Sequence, residues 1–210
     1  MTHEIIHTLK HRLTMPLPGK DAQYGMAPSF RKSIQKDKVS ARAGVLILLY
    51  PGENGLCTIF TKRHDYPGVH GGQISFPGGK FEPSDGNLVQ TALRETEEEI
   101  GIRASDIEVL GQLTTLYIPV SEFEVYPTVG YLKTKPSFVA HPGEVKYLIE
   151  ISLKELLDPS IREEKPYTGT EYSGTIPYFN IRENHVWGAT AMILHELLIL
   201  IRRGGFFLPE

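Results

Sequence analysis

The sequence has little cysteine, no long apolar run and no surplus of positive charge. Its single cysteine, Cys57, cannot close an internal disulfide. A disulfide-stapled secreted scaffold is therefore excluded, and a reducing compartment, the cytoplasm, is expected. Cys57 lies within the apolar stretch Leu56–Phe60 and reads as a buried structural thiol. No stretch reaches the roughly 18 apolar residues that a membrane helix needs. The nearest, Ala189–Ile201, is interrupted by His195 and Glu196 and stops at Arg202-Arg203. The start, Met1-Thr2-His3-Glu4, lacks the basic residues and apolar core of a secretory signal. Lys and Arg number 22 against 25 Asp and Glu, a net charge of −3. A dedicated nucleic-acid binder, with its basic excess, is not expected. A local basic site for a phosphate-bearing small molecule remains compatible with this balance.

What is present suits one soluble globular domain: 210 residues, 40% hydrophobic and 22% charged. Ile5, Ile6, Leu9 and Leu13 recur at helical spacing, with His3, His7 and His11 on another face. No Cys or carboxylate joins those imidazoles, so a solvated polar face is favoured over a metal site. Residues 14–30, with Pro16, Pro18, Gly19, Gly25 and Pro28, read as an irregular linker over the surface. Ala43–Tyr50 and Leu56–Lys62, around a Gly/Asn turn, read as a hairpin. Gly68–Gly79 is a glycine-rich loop with one short strand, Gln73–Phe76, and Asn87–Ile100 is a helix closed by Gly101. Strands are expected at Ile107–Tyr117, Glu124–Leu132, Val145–Ile151, Thr175–Phe179 and Asn184–Trp187. Helices are expected at Leu153–Leu157 and Ala189–Arg202. The mixture is α/β (α+β), a mixed sheet with helices on both sides. Residues 1–38 form a helix-and-linker extension, 39–180 the main domain, and 181–210 a closing strand and helix on that domain. The apolar circumference of the last helix serves either the core or a homodimer contact.

The densest chemical signal is Arg94-Glu95-Thr96-Glu97-Glu98-Glu99. Each helical residue turns by about 100°, so Glu98 and Glu99 lie within roughly 60° and 40° of Glu95. Glu97 points nearly the opposite way. Three carboxylates on one face repel, and a hard divalent cation, Mg²⁺ or Mn²⁺, removes that cost. Arg94 can reach Glu98 at i+4 and orient it. A solvated acidic face is the alternative reading of the hexapeptide alone. The preceding Phe76-Pro77-Gly78-Gly79-Lys80 allows close backbone approach. There a bare Gly78 carbonyl could ligate metal and the Lys80 ammonium could attract phosphate.

Residues 79–102 resemble the Nudix box, Gly-x5-Glu-x7-Arg-Glu-U-x-Glu-Glu-x-Gly-U, where U is usually aliphatic. Asp85 stands at the first acidic position, one extra residue precedes Arg94, and Thr96 takes the first U position. The longer spacing is similar to the branch of Nudix hydrolases that cleaves coenzyme A and its derivatives. Thr61-Lys62-Arg63, His70-Gly71-Gly72-Gln73, Phe76-Pro77-Gly78-Gly79 and Trp187-Gly188-Ala189-Thr190-Ala191 also resemble that branch. Where the branch often has Leu-Arg before the His, this chain has Pro67-Gly68.

The resemblance implies a Nudix-type α/β/α sandwich and a diphosphohydrolase of a nucleotide-containing small molecule of the coenzyme A type. The products from coenzyme A would be 3′,5′-ADP and 4′-phosphopantetheine. It also implies that Glu95, Glu98 and Glu99, with Gly78, hold Mg²⁺ or Mn²⁺, and that Arg94 orients the carboxylates. Glu144 is the preferred acid outside the box, ahead of Glu122 and Glu124. Lys62, Arg63, His70, Gln73 and Lys80 are expected at the substrate. Tyr117, Phe123 and Tyr126 could stack on a base but read more readily as packing, as does Trp187 between strand and helix. Other readings are a hydrolase of another nucleoside diphosphate derivative, such as ADP-ribose or a dinucleoside polyphosphate, and a nonenzymatic nucleotide sensor.

Overall fold

A computed structural model describes residues 2–31, 40–65, 71–169 and 172–205. The apolar run after Ser40 forms β1 (Ala41–Gly52), which turns at Glu53-Asn54 into β2 (Gly55–Arg63). Gly52 faces Gly55 across this two-residue turn, and Gly55 has φ +99°. Such a positive angle is one that glycine adopts without steric cost. β7 (Phe123–Tyr131) runs parallel to β1, from Ala41 opposite Phe123 to Leu49 opposite Tyr131. β5 (Glu108–Gln112) and β6 (Leu116–Ile118) add antiparallel to β7. β8 (Val145–Ser152) and the short β3 (Ile74–Ser75) add to β2, and β4 (Gly78–Lys80) adds to the start of β1. The result is a mixed eight-stranded sheet.

Alternation along β1 sends its side chains into two cores. Leu46, Leu48 and Tyr50 meet Ala92, Leu93 and Ile100 of α3 (Leu88–Ile100). Ile47 and Leu49 face the other way, toward α1 (Thr2–Leu13) and α5 (Gly188–Arg203). Burying each such Leu or Ile contributes about 1.5–3 kcal/mol, which is why β1 is apolar on both faces. This is an α/β/α sandwich, as the residues led us to expect. A second, three-stranded sheet comprises β9 (Arg162–Thr168), β10 (Ser173–Ile181) and β11 (Asn184–Trp187). It packs through Phe179, Ile181 and Val186 on the core of α1 and α5. His3, His7 and His11 are on the exposed side of α1.

Three local expectations are corrected, and one strand, β9, appears where none was expected. Within the supposed linker 14–30, α2 (Gly19–Tyr24) packs on α5, and Gln23 and Met26 are fully buried. Its anchor is polar: fully buried Glu196 accepts hydrogen bonds from the Gly19 amide (3.0 Å) and the Gln23 side chain (2.9 Å). The expected strand Ile107–Tyr117 breaks into β5 and β6, because the Thr114 hydroxyl turns aside to Glu196 at 2.6 Å. β9 carries no apolar alternation; it is an exposed edge strand held by backbone pairing to β10. Cys57 is only half-buried, its Sγ 3.6 Å from the Gly55 carbonyl. Most of the apolar circumference of α5, from Ala191 to Ile201, is buried in the core. Among the described residues no helix is long and apolar enough to cross a membrane.

Candidate active site

The site is built where α3 crosses the β1–β4 pair. Asn87 caps α3 by accepting from the Val89 and Gln90 amides, each at 3.0 Å. Gly101, at φ +73°, ends it. The helix can lie close to β1 because Gly44 has no side chain. A Cβ there would stand 2.3 Å from the Leu88 carbonyl oxygen and 2.9 Å from the Ala92 nitrogen. This approach brings Glu95 and Glu99 over β4 and the end of β2.

Arg94 organises the outer part of the site. Its Nε meets Asp85 Oδ1 at 2.7 Å and its Nη2 meets Oδ2 at 3.2 Å, a two-pronged contact. Its Nη1 reaches Glu95 at 2.9 Å and Glu98 at 3.0 Å. Asp85 also accepts from the Thr91 hydroxyl at 2.8 Å and the Glu82 amide at 2.9 Å. The Arg94 hydrogen bond holds the Asp85 carboxyl well below the usual carboxylate range. Asp85 thus fixes Arg94, and Arg94 fixes two acids of the helix.

Glu99 is the inner acid, with 1% of its side chain exposed. Arg63 Nη2 lies 3.1 Å from it, and the Thr61 hydroxyl lies 3.4 Å away. The Gly78 backbone also hydrogen-bonds it. Burial pushes its carboxyl up to about 7, against the pull of Arg63 and with the repulsion of Glu95 and Glu144. Burial raises Glu95 as well, partly offset by Arg94. These shifts place Glu95, Glu99 and Glu144 within one electrostatic neighbourhood.

Glu144 reaches that neighbourhood through the backbone. The Val139 amide donates to the Ile100 carbonyl at 3.0 Å, and the His141 amide to the Glu99 carbonyl at 2.9 Å. The segment between β7 and β8 is thereby tied to the end of α3. His64 closes the other side, its Nε2 3.0 Å from the Pro142 carbonyl. Exposed Glu144 stands on the turn that follows these ties.

The remaining expected residues divide. Thr61 and Arg63 both reach Glu99, so strand alternation turns Lys62 to the opposite face, that of Phe60. This corrects the joint placement of Lys62 with Arg63. Lys80 is exposed at the end of β4, its carbonyl accepting from Arg94 at 3.3 Å. Gln73 pairs through its carbonyl with the Arg63 amide at 3.0 Å. His70, Pro67 and Gly68 lie outside the described residues. Glu124 accepts from the Tyr126 hydroxyl at 2.6 Å, and Glu122 from the Ser40 hydroxyl, so both acids have partners of their own. Phe123 packs partly buried against the larger core. Trp187 is 36% exposed rather than packed, because alternation in β11 buries Val186 instead.

Sequence reasoning missed the Arg63–Glu99 pair, the Thr61 contact and the anchoring role of Asp85. The first two were readable only as i, i+2 positions on one strand face. Among the described residues no three His, Cys, Asp or Glu side chains converge as a ready metal site. Glu98 is half exposed and turned to Arg94, while Glu99 is turned to Arg63. By donor chemistry the three oxygen-bearing side chains still suit a hard divalent cation.

The family model for the NUDIX domain matches residues 40–168, more than half of the chain. Nudix hydrolase 15, mitochondrial, of Arabidopsis thaliana is 38% identical over 73% of this chain and 56% of its own length. The matched region thus spans little more than half of that plant protein. An uncharacterized Nudix hydrolase, NudL, of Yersinia enterocolitica is 40% identical over 66% of this chain and 71% of its own. The crystal structure of MutT protein from Methanosarcina mazei shares the fold, with a TM-score of 0.51 and 16% identity. It covers 82% of this chain and 99% of its own. With the box residues assembled around α3 and the domain match spanning the sheet that carries them, the chain belongs to the Nudix hydrolase family.

Proposed function

We propose that this protein hydrolyses the diphosphate of coenzyme A or acyl-coenzyme A with Mg²⁺ or Mn²⁺. The products would be 3′,5′-ADP and (acyl-)4′-phosphopantetheine. The observation that carries the reading is the buried Glu99 carboxylate, in the electrostatic reach of Glu95 and with Arg63 as its one ion-pair partner among the described residues. A carboxylate kept there against the cost of burial serves a charge that is brought to it. The Thr61-Lys62-Arg63, Gln73 and Phe76–Gly79 segments supply the coenzyme A part of the reading.

Glu95, Glu98 and Glu99, with the Gly78 carbonyl, would hold the cation. When bound, it would neutralise diphosphate charge and lower the pKa of a water. Arg94, anchored by Asp85, orients Glu95 and Glu98. Glu144 would accept a proton from the attacking water, with Glu95 second. Water adds across one bridging P–O bond, and the bridge oxygen leaves with the other phosphate. Arg63, Gln73, Lys80 and His70 are proposed at the substrate; Lys62, facing away from Glu99, is not. The single cysteine suits a cytoplasmic enzyme.

The test is chromatographic product analysis with coenzyme A, acetyl-coenzyme A, ADP-ribose and diadenosine polyphosphates, Glu99→Gln serving as control. Metal-dependent release of 3′,5′-ADP from coenzyme A in preference to the others is the expected result. Pro67-Gly68, replacing the usual Leu-Arg, favours the second reading, another nucleoside diphosphate derivative. Preferential cleavage of ADP-ribose or a dinucleoside polyphosphate would select it. Absence of cleavage of every substrate would favour a nucleotide sensor.

A further inference from the structure

The two arginines at the site are held very differently. Arg94 has Asp85 on two nitrogens, plus Glu95, Glu98 and the Lys80 carbonyl. Losing one acid would leave it anchored. The Arg63 guanidinium has one ion-pair partner among the described residues, Glu99, through a single nitrogen at 3.1 Å. Its side chain is 28% exposed, whereas that of Glu99 is 1% exposed. Arg63 therefore has solvent on one side and a buried carboxylate on the other. It also sits at the last residue of β2, beside the bulge where Lys62 opposes Tyr147 and Arg63 opposes Val145. An arginine keeps its charge whichever partner it faces.

We propose that Arg63 is an exchangeable counter-ion, which holds Glu99 until a divalent cation takes that carboxylate and then turns its guanidinium to the substrate diphosphate. This inference rests on the metal-dependent reading above. The exchange acts on a pair the structure shows, Arg63 on Glu99, while Arg94 holds Glu98. It assigns Arg63 two successive partners, so cation binding prepares the diphosphate site. Arg63 is a positioning residue for Glu99 before it touches substrate. A guanidinium matches a diphosphate as well as a carboxylate, since both present paired oxygens.

The sign of one measurement separates this from a purely structural pair. Mn²⁺ binding without substrate, at pH 8, is followed by the electron paramagnetic resonance of free Mn²⁺. The proteins are wild type, Arg63→Gln, Arg63→Lys and Glu99→Gln, each checked for folding by circular dichroism. Removing a competing cation tightens Mn²⁺ binding, by about tenfold in Arg63→Gln, within the usual range for two coupled sites. Arg63→Lys, which keeps the charge, should return toward wild type. With Mn²⁺ saturating, Arg63→Gln should raise KM for coenzyme A more than it lowers kcat. Equal or weaker Mn²⁺ binding by Arg63→Gln overturns the exchange, because a structural brace would misplace Glu99 when lost. Should Arg63→Gln not fold, Arg63→Lys binding Mn²⁺ less tightly than wild type also overturns it. If wild type binds no Mn²⁺ that Glu99→Gln abolishes, the metal-dependent reading itself fails, and the exchange with it.

Discussion

The Glu95 carboxylate occupies the place where a side chain at Gly79 would begin. A Cβ at position 79 would lie 2.3 Å from Glu95 Cδ and 2.4 Å from each of its oxygens. The bare backbone of β4 is thus a seat for a helix carboxylate. The nearest atoms to a Cβ at position 79 belong to the end of the Glu95 side chain rather than to backbone, so Gly79→Ala should lower stability by no more than about 1 kcal/mol. Displacing the acid by about 1 Å should still cost about a hundredfold in kcat/KM. Gly44→Ala meets helix backbone instead, and should lower stability by about 3 kcal/mol in a urea titration. If Gly79→Ala keeps full activity, the seat has no functional meaning.

Neighbouring acids of α3 should differ sharply. Glu99→Gln removes a buried acid and is expected to lower metal-dependent turnover by more than about a hundredfold. The exposed Glu97 side chain accepts from the Ala104 amide, at 3.2 Å, on the far side of the helix. Glu97→Gln should stay within about twofold of wild type, as expected of a surface change. Steady-state kinetics on both variants checks this, and equal losses would reject the assigned face.

Asp85 stands where the usual box has Glu, and it anchors Arg94. Asp85→Asn takes away a charged partner and should cost about 2 kcal/mol of stability. Activity should drop about 10- to 100-fold, because Arg94 then orients Glu95 and Glu98 poorly. Arg94 holds the Asp85 carboxyl below its ordinary range, so the folded state binds that proton less readily than the unfolded chain. This stabilisation is complete above the unfolded carboxylate pKa and is lost as pH falls through the folded one. Acid unfolding of wild type and Asp85→Asn should therefore converge at low pH.

Glu196 gives the opposite pH dependence. It is fully buried and accepts from Gly19, Gln23 and both the amide and hydroxyl of Thr114. Burial nevertheless raises its pKa above the ordinary range, outweighing these donors. The unfolded chain then releases this proton at lower pH than the folded one, so stability falls as pH rises through that interval. The stability advantage of wild type over Glu196→Gln should narrow as pH rises from about 4, near the unfolded carboxylate value. Glu196→Ala should cost about 3 kcal/mol at neutral pH by leaving donors unpaired and a cavity beneath α2. Urea titrations across pH measure both.

Much of the architecture was legible locally. The two apolar runs around Glu53-Asn54 marked the β1–β2 hairpin, and Asn87 with Gly101 marked both ends of α3. These signals are short-range: a turn, a cap and a period act within a few residues. The short α2 was not legible, since prolines and glycines surround it and its reason to form, Glu196, is 173 residues from Gln23. β9 was equally hidden, because an exposed edge strand needs only a partner's backbone and leaves no apolar pattern.

By itself, the sequence determined the acid-rich helix, the glycine strand before it and the spacing from Asp85 to Arg94. Those are consequences of helical periodicity and of glycine's missing side chain, which hold in any surroundings. Only the tertiary structure decided how the charges are shared. It turned Arg63 rather than Lys62 to Glu99, sent Glu98 outward, and brought Glu144 to the end of α3. These choices depend on which strand faces meet which helix. They also depend on burial, which makes a charge seek the nearest opposite one whatever its distance along the chain.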